Sequence, residues 1–121
     1  MLSRGPLDAM DLLDHLVEDR RHLLVHGRWV LAFHDVRPVA PVHLLLIPKA
    51  HVPSLYECEP GHVPVLGKLL ALAPRLAREQ GATDGFRTII NTGRVGRQEV
   101  YHLHIHVIGG PAVLGPMIAR Q

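Results

Sequence analysis

The sequence predicts a single domain of the α+β class, built on an antiparallel sheet. Its 121 residues, 47% hydrophobic and 20% charged, suffice for one compact core and are too few for a multi-domain enzyme. The predicted elements follow one another as helix, hairpin, strand, helix and hairpin, without the regular alternation of strand and helix that a parallel sheet requires. Because so small a domain carries its chemistry on one sheet, participation of a second copy of the chain stays open.

The chain begins with a predicted helix and a hairpin. Apolar residues recur at three- and four-residue spacing over residues 7–23, with Asp8 available as a cap, which indicates an amphipathic helix. Two strand-like runs, 23–26 and 29–34, flank a glycine–arginine turn. The aromatic and β-branched content of the second run supports a hairpin.

A central strand and a second helix come next. Residues 42–47 are apolar on both faces and end at a proline, which is typical of a strand in the middle of a sheet. Residues 61–81 place their apolar side chains on one helical face, and Gly81 stands where a left-handed terminating residue is expected. Pro74 predicts a kink in this helix, because it cannot donate to the helical ladder.

Charge and cysteine content exclude several classes of protein. Thirteen basic residues against eleven acidic ones give a net charge of +2, so we expect no strong binding to nucleic acid. No apolar run approaches the roughly 20 residues that a bilayer requires, so no membrane association is expected. The acidic N-terminus resembles neither a secretory signal nor a transit peptide, which favours the cytoplasm. Cys58 is the only cysteine, which rules out an intrachain disulfide.

The last predicted hairpin carries the most informative pattern. It comprises residues 86–91 and 101–108, joined by a loop over 92–99, and its second strand holds three of the ten histidines at alternate positions. These histidines are His102, His104 and His106. In a strand, residues two apart point to the same face, so we expect the three imidazoles to lie side by side while the apolar residues between them enter the core.

A row of imidazoles suits acid–base and nucleophilic chemistry at neutral pH. The pKa of histidine lies near 7, so one ring can act as a neutral nucleophile while its neighbour supplies a proton. A transition-metal site is the main alternative, because alternating histidines on a strand are also metal ligands. No acidic residue follows Glu99, so a carboxylate ligand would have to come from elsewhere in the chain.

Residues 98–110, from Gln98 through the three histidines to Gly109-Gly110, resemble the histidine-triad (HIT) family, in its Hint branch of purine nucleoside phosphoramidases. Segments within 31–51 and 85–91 agree, and the resemblance extends over about 29–117. It implies one HIT-like domain over 1–121, with an N-terminal helix in 1–21 and a family-like core in 22–117. The implied fold is a five-stranded antiparallel sheet with two helices, paired into a homodimer.

The resemblance also implies a reaction, the hydrolysis of the P–N bond of purine nucleoside 5′-phosphoramidates. The ligands would be AMP, GMP or their amine conjugates. His104 would attack the α-phosphorus and form a nucleotidyl-histidine intermediate, His106 would contact the phosphate and help to protonate the leaving amine, and His102 and His43 would support the nucleophile. Asp35 corresponds to the carboxylate that binds the ribose hydroxyls. The remaining implied nucleotide contacts are Phe33, His34, Val36, Asn91, Gln98 and Glu99.

Three departures from the family pattern are visible. Arg97 stands where the family loop usually has a second glycine, and the C-terminal tryptophan of some relatives is missing. The N-terminal cysteine pair that binds zinc in certain members is also absent, so neither a metal nor another cofactor is expected. Two further alternatives stay open: a broader nucleotide hydrolase or transferase acting on dinucleotides or adenylates, and a non-catalytic AMP-binding module.

Overall fold

A computed structural model describes residues 20–118, and within them five strands form one antiparallel sheet. The strands are β1 (Leu23–His26), β2 (Val30–His34), β3 (Val42–Pro48), β4 (Phe86–Ile89) and β5 (Ile105–Gly109), in the spatial order β1-β2-β3-β5-β4. Helix α1 (Val63–Glu79) is the one α-helix of this part of the chain, which also holds the 3₁₀ turns Arg20–His22, Leu55–Glu57 and Pro60–His62. The predicted α+β class and antiparallel sheet are confirmed.

The predicted N-terminal helix lies almost entirely outside the described residues. Its last part, Arg20–His22, is a 3₁₀ turn, and Leu23 already belongs to β1. The predicted helix is therefore wrong for residues 20–23, because Leu23 pairs with Phe33 of β2, and its earlier residues stay a prediction. Within residues 20–118, no helix combines the length and apolar character needed to cross a bilayer.

Strand β3 lies at the centre of the sheet, as its apolar sequence predicts. It pairs with β2 on one side and with β5 on the other. The predicted hairpin of β1 and β2 is also present, and its turn is closed by the Gly27 N–H, which donates to the Val30 carbonyl at 2.9 Å. Because β3 is paired on both edges and six of its seven residues are buried, it holds its side chains in fixed positions.

The two faces of the sheet have different functions in packing. One face contacts α1 and forms the main core, in which sheet residues such as Leu44, Leu46 and Val107 pack with Leu69 and Leu76 of the helix. Burying each such leucine contributes roughly 1.5–3 kcal/mol to folding. The opposite face carries a smaller cluster of Leu31, Phe33 and Ile47. Side chains that alternate with the main core therefore point away from α1.

Helix α1 continues through Pro74 and ends as its sequence predicts. Gly81 has φ +110°, the left-handed conformation that glycine adopts without steric cost. The Gly81 N–H donates to the Arg78 carbonyl, and the Ala82 N–H donates to the Ala77 carbonyl at 2.8 Å. This pair of hydrogen bonds is the Schellman arrangement, which satisfies carbonyls at the end of the helix.

The prediction of one strand over 101–108 is wrong for its first four residues, since β5 begins at Ile105. The ladder between β3 and β5 ends at the pair of Leu46 and Ile105, so residues 101–104 have no strand partner. They are nevertheless fixed to the segment that follows β3. The Leu103 N–H donates to the Val52 carbonyl at 2.7 Å, and the side chain of Gln98 donates to the Pro53 carbonyl at 2.7 Å.

Candidate active site

Two of the predicted site residues meet on the face of the sheet that points away from α1. Leu45 of β3 lies opposite His106 of β5, so His43, two residues before Leu45, is its diagonal neighbour on the same face. The distance from His43 Nε2 to His106 Nδ1 is 2.9 Å, a hydrogen bond between the two rings. His43 is buried and His106 is half-buried, so solvent reaches the pair from the side of His106 only in part.

Asp35 completes this cluster from the turn between β2 and β3. Its Oδ2 lies 3.3 Å from His43 Nε2, and its Oδ1 accepts the Arg37 N–H at 2.8 Å. The Asp35 N–H donates to the His43 carbonyl at 2.9 Å, which holds the start of the turn against β3. The carboxylate is therefore placed by both its main chain and its side chain, next to the imidazoles.

His104 is oriented by the main chain of its own segment. Its Nδ1 lies 2.8 Å from the His102 carbonyl, and a carbonyl can only accept, so Nδ1 carries the proton that is donated. In the neutral ring the lone pair is then on Nε2, the atom that points away from this hydrogen bond. The ring centres of His104 and His106 lie 5.1 Å apart at 70°. His104 thus presents a nucleophilic nitrogen beside His106.

The pKa of His106 is lowered to about 4. Burial is the main cause, because it penalises the charged form, and the neighbouring His104 and His43 add to it while Asp35 opposes it. His106 is therefore neutral at pH 7 in the unliganded protein. A neutral imidazole still donates one hydrogen bond and accepts another.

His102 is not displayed beside the other two histidines. Its ring is 2% exposed, and its Nε2–H donates to the Pro48 carbonyl at 2.7 Å. Burial also lowers the pKa of His102, with smaller contributions from His51 and His104 against the opposing hydrogen bond to Pro48. The ring lies edge-on to His51, and its Nδ1 has no hydrogen-bond partner among the described residues. The expectation of three exposed rings in a row is therefore wrong for His102, whose carbonyl, rather than its ring, reaches His104.

The predicted phosphate-side residues mainly hold the loop that precedes His102. Asn91 donates through Nδ2 to the Gly96 carbonyl at 2.8 Å. Gln98 is 6% exposed; its Oε1 accepts the Gly93 N–H, and its Nε2 donates to the Pro53 and Val100 carbonyls. Glu99 is exposed. Asn91 and Gln98 therefore shape the loop through contacts within the chain, and Glu99 is the one of the three that faces solvent.

The predicted nucleotide residues on β2 and the following turn differ in exposure. Phe33 is 4% exposed and packs with Leu31 and Ile47, so it belongs to the smaller core cluster. His34 is half-buried, and Val36 is 67% exposed. Of these three residues, Val36 is open to a ligand, His34 is open in part, and Phe33 is closed.

Asp35, His43 and His106 have ligand atoms within 4.8 Å of one another, which is close enough to consider a metal ion. The hydrogen bond at His43 Nδ1 argues against a metal site here. The Val39 N–H donates to His43 Nδ1 at 3.1 Å, so Nδ1 holds a lone pair and the proton is on Nε2. A metal bound to Nε2 would move the proton to Nδ1, against the Val39 N–H. The donor set therefore does not fit a metal ligated through His43.

A separate cavity of about 230 Å³ lies between residues 84–87 and 109–114. It contains none of the predicted site residues. The candidate site is therefore defined by its side-chain chemistry.

Sequence reasoning missed the Val39 N–H, since a main-chain donor has no sequence pattern. It also missed the contact of His51 with His102, although His51 follows β3 at the same edge of the sheet.

This fold and this cluster define a class of α+β proteins that carry paired imidazoles on the open face of an antiparallel sheet. The model of the HIT domain family matches residues 17–113, and the chain belongs to this family. It is 44% identical over 93 residues to the purine nucleoside phosphoramidase of Escherichia coli strain K12, an alignment that covers 76% of this chain and 77% of that protein.

Two further comparisons agree. The chain is 40% identical over 113 residues to the adenylylsulfatase HINT1 of Arabidopsis thaliana, which covers 90% of this chain and 77% of that protein. The structure of a HIT family hydrolase from Legionella pneumophila superimposes with a TM-score of 0.80 at 32% identity, over 91% of this chain and 98% of that one. The chain is therefore an enzyme of the hydrolase class, and the predicted resemblance to the HIT family is confirmed.

Proposed function

We propose that the protein hydrolyses the P–N bond of purine nucleoside 5′-phosphoramidates through a nucleotidyl-histidine intermediate on His104. The observation that carries this proposal is the orientation of His104, whose Nδ1–H is bound by the His102 carbonyl while Nε2 is left with its lone pair. A neutral imidazole nitrogen with a fixed direction is the nucleophile that this chemistry needs. The name of the Escherichia coli relative supports the choice of substrate.

In the first step, the lone pair of His104 Nε2 forms a bond to the α-phosphorus and the P–N bond breaks. The leaving amine takes the electron pair and one proton from His106, which takes up that proton from solvent when the substrate binds. His106, with its ring centre 5.1 Å from that of His104, donates a hydrogen bond to the phosphoryl group. The negative charge of the bound phosphate raises the pKa of His106 above its value in the unliganded protein, which favours its part in proton transfer.

In the second step, water attacks the same phosphorus and gives one proton to the now neutral His106, the bond to His104 Nε2 breaks with its electron pair returning to Nε2, and the nucleoside monophosphate leaves. Asp35 binds the ribose hydroxyls in this proposal, because a carboxylate accepts two hydrogen bonds with one group. His34, at the end of β2, and Val36, in the turn that follows, contact the base in this proposal. His43 supports His106 through the 2.9 Å hydrogen bond, and His102 supports His104 through its carbonyl.

The test uses adenosine 5′-phosphoramidate and the intact protein. Rapid quenching followed by mass spectrometry should find an acid-labile adenylate on the peptide that carries His104. His104→Ala should abolish this adduct and the turnover, whereas His26→Ala, which removes an exposed imidazole on β1, should retain both. An adduct on another residue, or full turnover by His104→Ala, would contradict the proposal.

The same assay separates the alternatives. Faster hydrolysis of adenylyl sulfate or of a dinucleotide than of the phosphoramidate would favour the broader nucleotide hydrolase, for which the name of the Arabidopsis relative is the supporting observation. Binding of AMP without turnover of any of these compounds would favour the binding module. Comparison of adenosine and guanosine phosphoramidates measures the purine preference.

A homodimer is the assembly we propose. Strand β4 has β5 on one side only, so the other edge of β4 is unpaired among the described residues, and Phe86 on this strand is 37% exposed. An unpaired edge of this kind is a surface on which a second copy can pair. Sedimentation equilibrium should give twice the mass of the chain, and Thr88→Pro on β4 should reduce the mass to that of a monomer.

A further inference from the structure

We propose that the backbone N–H of Val39 is a positioning group for the reaction: through His43 it sets which nitrogen of His106 carries the proton. Val39 lies in the turn between β2 and β3, and its side chain is 74% exposed. Its contribution to the site is therefore made by the main chain. The effect on the reaction rests on the proposed function, whereas the effect on the histidines can be measured without a substrate.

Two consecutive hydrogen bonds link the main chain of Val39 to the ring of His106. The Val39 N–H can only donate, so His43 Nδ1 accepts it at 3.1 Å and the proton of His43 is on Nε2. This Nε2–H donates to His106 Nδ1 at 2.9 Å. His106 Nδ1 is therefore also an acceptor, and its proton is on Nε2.

The opposite arrangement meets two unfavourable contacts. If His43 carried its proton on Nδ1, two N–H groups would face each other at Val39. Its Nε2 lone pair would then lie 3.3 Å from the Asp35 carboxylate oxygen, where two acceptors repel each other. The same turn thus disfavours the alternative tautomer at both nitrogens of His43, once through Val39 and once through Asp35.

The tautomer of His106 matters because of what it presents to a ligand. With the proton on Nε2, the ring offers a donor to a phosphoryl oxygen or to the leaving nitrogen, both of which accept hydrogen bonds. With the proton on Nδ1, the ring would offer a lone pair and repel the same atoms. His104, by contrast, has its proton on Nδ1. Neighbouring imidazoles therefore hold opposite tautomers, one a nucleophile and the other a donor.

The first test observes the tautomers directly, in the unliganded protein with ¹⁵N-labelled histidine, at a pH where the rings are neutral. Long-range ¹H–¹⁵N correlation spectra should assign the proton to Nε2 in both His43 and His106, and to Nδ1 in His104. Val39→Pro removes the N–H and should convert His43 and His106 to a mixture of tautomers. Ala40→Pro adds a proline at the next position of the same turn and should leave both assignments unchanged.

The second test uses a substitution that supplies the donor by another route. His43→Gln places an amide N–H close to the position of His43 Nε2, and this group donates whatever lies at Val39. Val39→Pro should lower kcat about tenfold in the parent chain, a coupling typical of groups in one hydrogen-bonded network. In the His43→Gln background, the same change should lower kcat less than twofold, while KM changes little in either case.

The outcomes separate the two proposals. Unchanged signals of His43 and His106 in Val39→Pro, or a proton on His43 Nδ1 in the parent chain, would overturn the inference even if phosphoramidate is hydrolysed. The expected tautomers and their loss in Val39→Pro, without any hydrolysis by the parent, would instead contradict the proposed function alone. If Val39→Pro does not fold, replacement of the Val39 amide by an ester removes the same N–H without a ring and gives the same readout.

Discussion

Replacing Arg97 by glycine should stabilise the protein. Arg97 has φ +63°, and it is the one residue other than glycine in the left-handed region among residues 20–118. This conformation costs an ordinary residue about 1–2 kcal/mol, because its Cβ crowds the following carbonyl. The greater freedom of glycine in the unfolded chain offsets about 0.4–1 kcal/mol of the relief. The expected net gain in the free energy of unfolding is about 1 kcal/mol.

The matched control is Arg97→Ala, which removes the same exposed charge and keeps the Cβ. It should stay within about 0.5 kcal/mol of the parent, as most surface substitutions do. Urea denaturation measures both variants, and the melting temperature of Arg97→Gly should rise by about 4 °C. A glycine variant no more stable than the alanine variant would show that residue 97 bears no strain. If the arginine also attracts substrate, both variants should raise KM equally, since both lose the charge.

Three other predictions concern the loop that contains Arg97 and the histidines that follow it. Gly96→Ala should destabilise the protein by about 2 kcal/mol or more, measured by urea denaturation, because the added Cβ would lie 2.4 Å from the Thr92 carbonyl oxygen. His102→Ala should cost about 3 kcal/mol in the same assay, since it opens a cavity and leaves the Pro48 carbonyl without its donor, whereas His51→Ala should cost less than about 1 kcal/mol. The free energy of unfolding should fall as the pH is lowered from about 6.5 to 4, because the folded-state pKa of His106 is about 4 and the unfolded chain binds the proton more tightly. The loss from His106 should be at most about 3 kcal/mol, and His106→Gln should make the dependence shallower; an equally steep dependence in that variant would exclude His106 as its source.

The elements that sequence patterns predict well are those set by local physics. The hairpin of β1 and β2 depends on a glycine turn between two apolar runs, and the end of α1 depends on Gly81. The start of β5 depends instead on where its partner β3 ends, at a distance of more than fifty residues in the chain. Alternation of histidine with apolar residues is therefore a sound guide to the burial of the apolar residues Leu103, Ile105 and Val107, and a poor guide to how far the strand extends.

In the candidate site, too, the sequence predicts some features, and others depend on contacts between distant parts of the chain. The pattern around His104 and His106 identifies the chemistry, and the pairing of β3 with β5 brings His43 to it. His102 shares the alternation but is buried, because the residues before Ile105 leave the ladder and its ring turns to the Pro48 carbonyl. No sequence pattern distinguishes these roles. They depend on three main-chain groups, the Val39 N–H and the carbonyls of His102 and Pro48. Any amino acid provides the carbonyls, and any amino acid except proline provides the N–H.

Main-chain control of the imidazoles has a consequence for how substitutions are interpreted. The carbonyl of His102 orients His104, and the carbonyl of Pro48 orients the His102 ring, so the two form a sequence of contacts. Loss of the His102 ring would then move the carbonyl that directs His104. An activity loss in His102→Ala is consequently expected without any contact between that ring and substrate. Because the ring is 2% exposed, kcat should fall in this variant while the affinity for AMP is retained. A loss of AMP affinity at unchanged kcat would instead place His102 in the binding of nucleotide.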